Sequence, residues 1–137
     1  MPNLVSPGTQ YRTSSYTAFY TGHVLPVEFT LYDRIRGADV AHDLTQYTGG
    51  VFLQFLDAET DSLVREQFAL AVLTADADKV PAVSSGVACR CRANILADVA
   101  KTPGAIKCKV VGKIGTTFYL LDSPWLATIF RGGPTAP

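Results

Sequence analysis

The sequence predicts an all-β domain, an antiparallel sandwich of about seven short strands with an extended tail at each end. Three observations predict it. Apolar side chains recur at every second position in segment after segment, and turn residues punctuate the chain at intervals of roughly ten residues. The 137 residues, 47% of them apolar, also suffice to build one core without staples and exclude disorder as the default state. The expected layout is an N-terminal arm over residues 1–20, the sandwich over 21–131 and a C-terminal tail over 132–137.

Pro2, Pro7 and Gly8 keep the first ten residues extended. Tyr11, Tyr16, Phe19 and Tyr20 follow, spaced by Thr and Ser. Tyrosine combines a large contact area with a polar tip, so these four side chains suit either an interface or a first strand packed on the domain. Val27, Phe29 and Leu31 then alternate with Glu28, Thr30 and Tyr32, the pattern of a half-buried strand. Val51, Leu53 and Phe55 form a second apolar face. Phe52 and Leu56 make the other side of that strand apolar too, so it is covered on both faces or meets a partner.

Val64, Glu66, Phe68, Leu70 and Val72 fit a third strand with Arg65 and Gln67 outward. A helix over residues 58–73 competes, because Ala, Leu, Glu and Gln are good helix formers. The clearest alternation comes next. Val87, Cys89, Cys91, Ala93 and Ile95 interleave with Ala88, Arg90, Arg92 and Asn94; Ile106, Cys108 and Val110 interleave with Lys107 and Lys109. Pro103-Gly104 marks a turn between the two. Residues 112–115 read as a further turn into a strand over 116–121, and Pro124 separates that from 125–131. The glycines and prolines of 132–137 cannot continue a strand interior.

Twelve basic and twelve acidic residues cancel, which argues against a phosphate backbone or an anionic membrane as partner. No stretch approaches the roughly 18 apolar residues of a membrane helix, and residues 1–20 lack the charged and apolar regions of a signal peptide. Synthesis in the cytoplasm is therefore expected.

Candidate chemistry is sparse. His23 and His42 show no metal-ligand spacing and read as surface loop histidines. Asp57, Glu59 and Asp61 alternate, as do Asp76 and Asp78, but the glycine and distal glutamate of a calcium loop are missing. Ser84-Ser85-Gly86 is not a nucleophile elbow. No catalytic residue, metal site or cofactor is expected. Cys89 and Cys91 lie two apart on one strand face. If residues 96–104 close a hairpin, Ile95 sits opposite Ile106 and Cys108 falls near Ala93, diagonal to Cys91. All three sulfurs then line one apolar layer, where thiols behave as small hydrophobes; a bridge among them, or to another chain, is the alternative. The same hairpin gathers Arg90, Arg92, Lys107 and Lys109 into an outward basic patch that an acidic neighbour or solvent would cover. It lacks the interleaved aromatics of a nucleic-acid surface.

The order of these features resembles the N-terminal domain of phage baseplate upper proteins, immunoglobulin-like modules that attach receptor-binding parts to a tail. The resemblance begins at Pro26-Val27-Glu28-Phe29-Thr30-Leu31-Tyr32-Asp33 and continues in Asp43-Leu44-Thr45. It closes with Pro103-Gly104 leading into residues 106–110, and a last strand over 125–130. Gln46 stands where the family has a glycine, and the long stalk of a complete baseplate protein is missing. What the resemblance implies is an immunoglobulin-like sandwich in a virion, serving as a baseplate or tail-fibre attachment adaptor or as a capsid cement protein. Its partners would be other virion structural proteins and further copies of itself, as a dimer or trimer. The expected contact residues are Tyr11, Tyr16, Phe19 and Tyr20 of the arm and Phe52 and Leu56 of the second strand. A rival class is a carbohydrate-binding module using Trp125 or Tyr119 as a stacking platform, although Trp125 alternates with Ala127 and Ile129 as a core residue would. An enzyme would need convergent polar groups that this sequence does not assemble.

Overall fold

A computed structural model describes residues 9–12, 16–58, 64–95, 103–121 and 124–131. The described residues are all-β: ten strands, two single 3-10 turns and no α-helix. The strands are β1 (Thr9–Arg12), β2 (Ala18–Tyr20), β3 (Leu25–Ile35), β4 (Ala38–Ala41), β5 (Gly50–Asp57), β6 (Val64–Val72), β7 (Arg90–Ile95), β8 (Gly104–Ile114), β9 (Thr117–Leu120) and β10 (Trp125–Phe130). The turns are η1 (Leu44–Gln46) and η2 (Asp76–Asp78). Hydrogen bonds join the strands in one path, β1-β3-β7-β6-β5-β8-β10-β2, with β4 added to β3 and β9 to β8. Every pairing is antiparallel except β10 with β2, which is parallel. The sheet is thus mixed and continuous, where the alternation pointed to antiparallel strands in two separate layers.

Alternation explains how one sheet makes a core. Val27, Phe29 and Leu31 of β3, Val51, Leu53 and Phe55 of β5, Phe68 and Leu70 of β6, Ile106, Cys108 and Val110 of β8, and Ala127 and Ile129 of β10 all point to the same side and are buried together. The sheet curls so that its far ends share that core. Phe19 of β2, the last strand of the path, meets Phe55 with ring centroids 4.8 Å apart. Phe29, near the opposite end, lies 5.9 Å from Trp125 of β10.

Tyr16 closes the seam between the two ends. Its Oη accepts from the Glu28 N–H at 3.0 Å and donates to the Glu28 carbonyl at 3.3 Å. A hydroxyl can both donate and accept, so one phenol does at Glu28 what a neighbouring backbone would do. Trp125 Nε1–H donates to the Tyr16 carbonyl at 2.9 Å, and the Tyr16 ring stands edge-on to Phe29.

Several expectations change. Within the segment read as an arm, residues 9–12 and 18–20 are strands of the sheet, as β1 and β2, and Tyr16 supplies the clasp. Residues 64–72 form a strand and not a helix, because Phe68 and Leu70 complete the core at period two. The hairpin between β7 and β8 is absent: β7 pairs with β3 and β6, and β8 with β5, β9 and β10. β8 lies three places from β7 along the sheet, with β6 and β5 between them, which sequence proximity does not reveal. Gly112 lies inside β8 and makes no turn; the chain reverses at Gly115, whose φ of 61° is readily available only to glycine. β5 is covered on both faces, since outward Gln54 and Leu56 are buried as well. Gln54 Nε2–H donates to Gln67 Oε1 at 2.8 Å on the neighbouring strand. The tail over 132–137 lies outside the described residues. No helix among the described residues is long and apolar enough to cross a membrane.

Candidate functional site

Two places in the molecule depart from a plain apolar-in, polar-out sheet. The first is inside. β3 continues its inward alternation past Leu31 to Asp33, so the pleat itself places a carboxylate in the interior. Asp33 Oδ2 lies 2.8 Å from His42 Nδ1, and His42 Nε2 lies 2.5 Å from Tyr47 Oη. Relative exposures of 0%, 1% and 4% for Asp33, His42 and Tyr47 keep water from all three. Nδ1–H donates to the carboxylate in this geometry. Nε2 accepts from the phenol when the imidazole is neutral and donates to it when the ring is charged. The surface position expected for His42 is therefore wrong, whereas His23 is exposed beside the turn after β2. The order carboxylate, imidazole, hydroxyl is that of a nucleophilic triad, but a fully covered phenol offers a substrate no approach. The trio braces the fold.

Local structure explains how Tyr47 arrives there. Asp43 caps η1, its Oδ1 accepting from the Thr45 N–H at 2.9 Å, and Leu44 anchors the turn in the core. The Tyr47 ring then lies flat on β8 at Gly112. A Cβ at Gly112 would fall inside that ring, so glycine in mid-strand here marks the close approach of an aromatic. Burial holds the Tyr47 phenol well above its ordinary range, and Asp33, Asp43 and Tyr119 add to the effect. The trio and the ring together tie the β3–β4 end of the sheet to β8.

The second place is outside. Tyr20, Val24, Leu126 and Phe130 are exposed by 49%, 57%, 66% and 45%. Tyr20 and Phe130 stack with centroids 5.4 Å apart. Tyr20, Phe130 and Val24 stand at the end of β2 and in the link after it, and Leu126 lies four residues earlier on β10, opposite Lys107; these four exposed apolar side chains are the collar. An open depression of about 390 Å³, lined by Thr17, Ala58, Ala105, Leu126 and Thr128 among others, adjoins it. A smaller apolar group sits on β9, where exposed Phe118 stands edge-on to Phe52, with Lys113 Nζ 5.3 Å from its ring.

Of the side chains expected at an interface, Tyr20 is exposed and Phe52 half-buried on the outer face. Phe19 and Leu56 are buried at 1% and 2% and have no area to offer a partner. Phe19 occupies the inward position of β2, and Leu56 is covered on the outer face of a central strand. Tyr16 is half-buried at the seam. Tyr11 pairs with Tyr32 in the β1–β3 ladder, and its side chain lies outside the described residues. The sequence reading missed Val24, Leu126 and Phe130; the outward parity of Leu126 and Phe130, alternating with Ala127 and Ile129, was the available signal.

Cys89, Cys91 and Cys108 are buried thiols outside any disulfide. Cys91 packs opposite Phe29 on β3 and Cys108 opposite Phe55 on β5, so the two line the same core as expected, but from strands that are not paired as a hairpin. Burial pushes the Cys91 thiol up to about 12. The basic patch also divides, because β6 and β5 stand between β7 and β8. Arg90 lies 3.9 Å from Asp78, and Arg92 lies opposite Glu28 in an open depression of about 600 Å³ beside Tyr16. Asp76 pairs with Lys79 at 3.4 Å, while Glu59 and Asp61 fall outside the described residues. Among the described residues no three His, Cys, Asp or Glu side chains group as metal ligands. Trp125 is half-buried against Phe29, and Tyr119 leans on Tyr47. Compared with protein-family models, with curated proteins and with solved structures, the chain matches none.

Proposed function

We propose that this chain is an immunoglobulin-like structural protein of a phage virion, a baseplate or tail-fibre attachment adaptor that works by protein–protein contact and performs no catalysis. The observation that carries this reading is the collar. Four large apolar side chains, none of them charged, stand in water on one stretch of the surface. An exposed patch of that kind marks a docking site more often than it marks chance, because leaving it wet forfeits its transfer free energy. The buried trio supports the same reading from the other side, since the groups best suited to chemistry are spent on bracing. The resemblance in residues 26–33, 43–45 and 103–110 supplies the virion context.

The test is incorporation. Particles assembled with the wild-type chain as sole copy should contain it in fixed stoichiometry by quantitative mass spectrometry. A Leu126→Asp, Phe130→Asp variant should retain the β-sheet circular dichroism of the wild type and be missing from particles. A wild-type chain absent from purified particles, or a variant incorporated at the wild-type level, refutes the proposal.

A further inference from the structure

The strand register gathers onto one outward face side chains that lie far apart in the sequence. β8 turns Lys107 and Lys109 outward, alternating with the buried Ile106, Cys108 and Val110. Lys113 follows on the same side, opposite Gly50 of β5 and Phe118 of β9, and Val111 lies between Phe52 of β5 and Leu120 of β9. Phe118 is 45% exposed and Phe52 half-buried, and their rings meet edge-on with centroids 6.3 Å apart. Lys113 Nζ stands 5.3 Å from the centre of the Phe118 ring. The chain as a whole is neutral, but its charge is not spread evenly. Among the described residues, the outward positions of β5, β8 and β9 hold these three lysines and no carboxylate.

We propose that this face binds single-stranded nucleic acid. A nucleotide carries a flat apolar base beside an anionic phosphate, and Phe118 with Lys113 offers an aromatic ring beside an ammonium group. Surfaces that hold single strands without regard to sequence combine these two features, cations that follow the backbone and exposed rings on which bases stack. Lys107 to Lys113 spans about 20 Å of strand, which suits a run of about 4 nucleotides, the lower limit for one small β-barrel. The basic patch expected from the sequence had cations without aromatics. The structure divides that patch, but it brings Phe52 and Phe118, from two other strands, to the lysines of β8. A folded acidic protein fits this face less well. It would need roughly 800 Å² from each partner, whereas the exposed apolar area here comes from parts of Phe52, Phe118 and Leu120. A duplex also fits less well, because its bases are stacked on one another and leave Phe118 nothing to stack on. The inference goes beyond the docking reading and uses none of the collar's side chains, so either can fail alone.

The probe is a fluorescein-labelled oligothymidylate of about 12 nucleotides, within the size range of single-strand sites, titrated with the isolated wild-type protein and read by fluorescence anisotropy. Saturable binding is expected. It should weaken as salt is added, with a log–log slope of about −2, from roughly 0.7 for each of three lysine–phosphate contacts. Phe118→Ala should keep the wild-type circular dichroism, because nearly half of the side chain is already in water, and should weaken binding about tenfold, the scale of one lost base stack. Phe118→Tyr keeps a ring and should bind as the wild type does. Lys109→Ala should weaken binding and reduce the slope by about 0.7. The same oligonucleotide annealed to its complement should bind more weakly than the single strand. Absence of saturable binding overturns the proposal, as does wild-type affinity in Phe118→Ala or a duplex held as tightly as the single strand. Polyglutamate that displaces the oligonucleotide at equal charge concentration overturns it in favour of an acidic protein surface. Lys109→Ala decides the question should the alanine at position 118 disturb β9, because an unchanged salt slope in that variant also overturns the proposal.

Discussion

The two ends of β3 and β10 reverse the usual arrangement in opposite senses. At the C-terminal end of β3, a carboxylate, an imidazole and a phenol are sealed inside and joined by two hydrogen bonds, with Asp33 Oδ1 left without a hydrogen-bond partner. On β10 and the turn after β2, four large apolar side chains are left in water. The first departure is tolerable only because the members pair: a buried charge without a partner is among the most costly defects a fold can hold. The second costs the isolated domain little and gains only when something covers it. One region therefore holds its stability within the chain, and the other holds unspent interaction free energy.

The sharpest way to break this contrast is His42→Ala. It removes the hydrogen-bond partner of Asp33 Oδ2 and one partner of the Tyr47 hydroxyl, and leaving a buried polar group unsatisfied costs about 1–3 kcal/mol, more when the group is charged. Urea unfolding should show the unfolding free energy falling by that amount, as a lower midpoint with the steepness of the transition kept. A loss below about 1 kcal/mol would mean that solvent reaches the trio and that it is no brace. Gly112→Ala attacks the same corner from β8. Its methyl group meets the Tyr47 ring, and overpacking of that kind costs about 1–3 kcal/mol. The diagnostic is a double-mutant cycle: in a Tyr47→Ala background the Gly112→Ala penalty should largely vanish. Simple additivity would show that Gly112 is constrained by something other than the ring.

How far these regions were legible in the sequence follows from the range of the forces that make them. Period-two alternation is local, so β3, β5, β6 and the inward sets of β8 and β10 could be read directly from Val27, Phe29, Leu31 and their counterparts. Asp33 was legible in the same way, since it occupies the next inward position after Leu31, and an inward carboxylate demands a partner. That partner was not legible. His42 and Tyr47 are brought to it by the β3–β4 turn and by η1, through no spacing that a motif would show. Strand order was hidden for a related reason: Cys91 and Cys108 both alternate correctly, but alternation fixes which face a residue takes and not which strand lies beside it. Gly112 could be seen to interrupt an apolar alternation, yet a turn and an aromatic approach leave the same mark in one sequence.

The smallest effect is predicted where the exposure is greatest. Leu126 is 66% exposed and stands opposite Lys107 on the outer face of β8. Only the remaining third of its surface is removed from water by the fold, so Leu126→Ser should change unfolding free energy by no more than about 0.5 kcal/mol, the range of ordinary surface substitutions. Its effect should fall on association instead, lowering incorporation into particles while the urea midpoint of the isolated protein stays put. If the substitution costs about 2 kcal/mol or more in dilute protein, Leu126 is supporting the fold of its own chain. The apolar groups on β10 would then be a poorly covered part of the core, and the contrast with the Asp33–His42–Tyr47 corner would be one of degree.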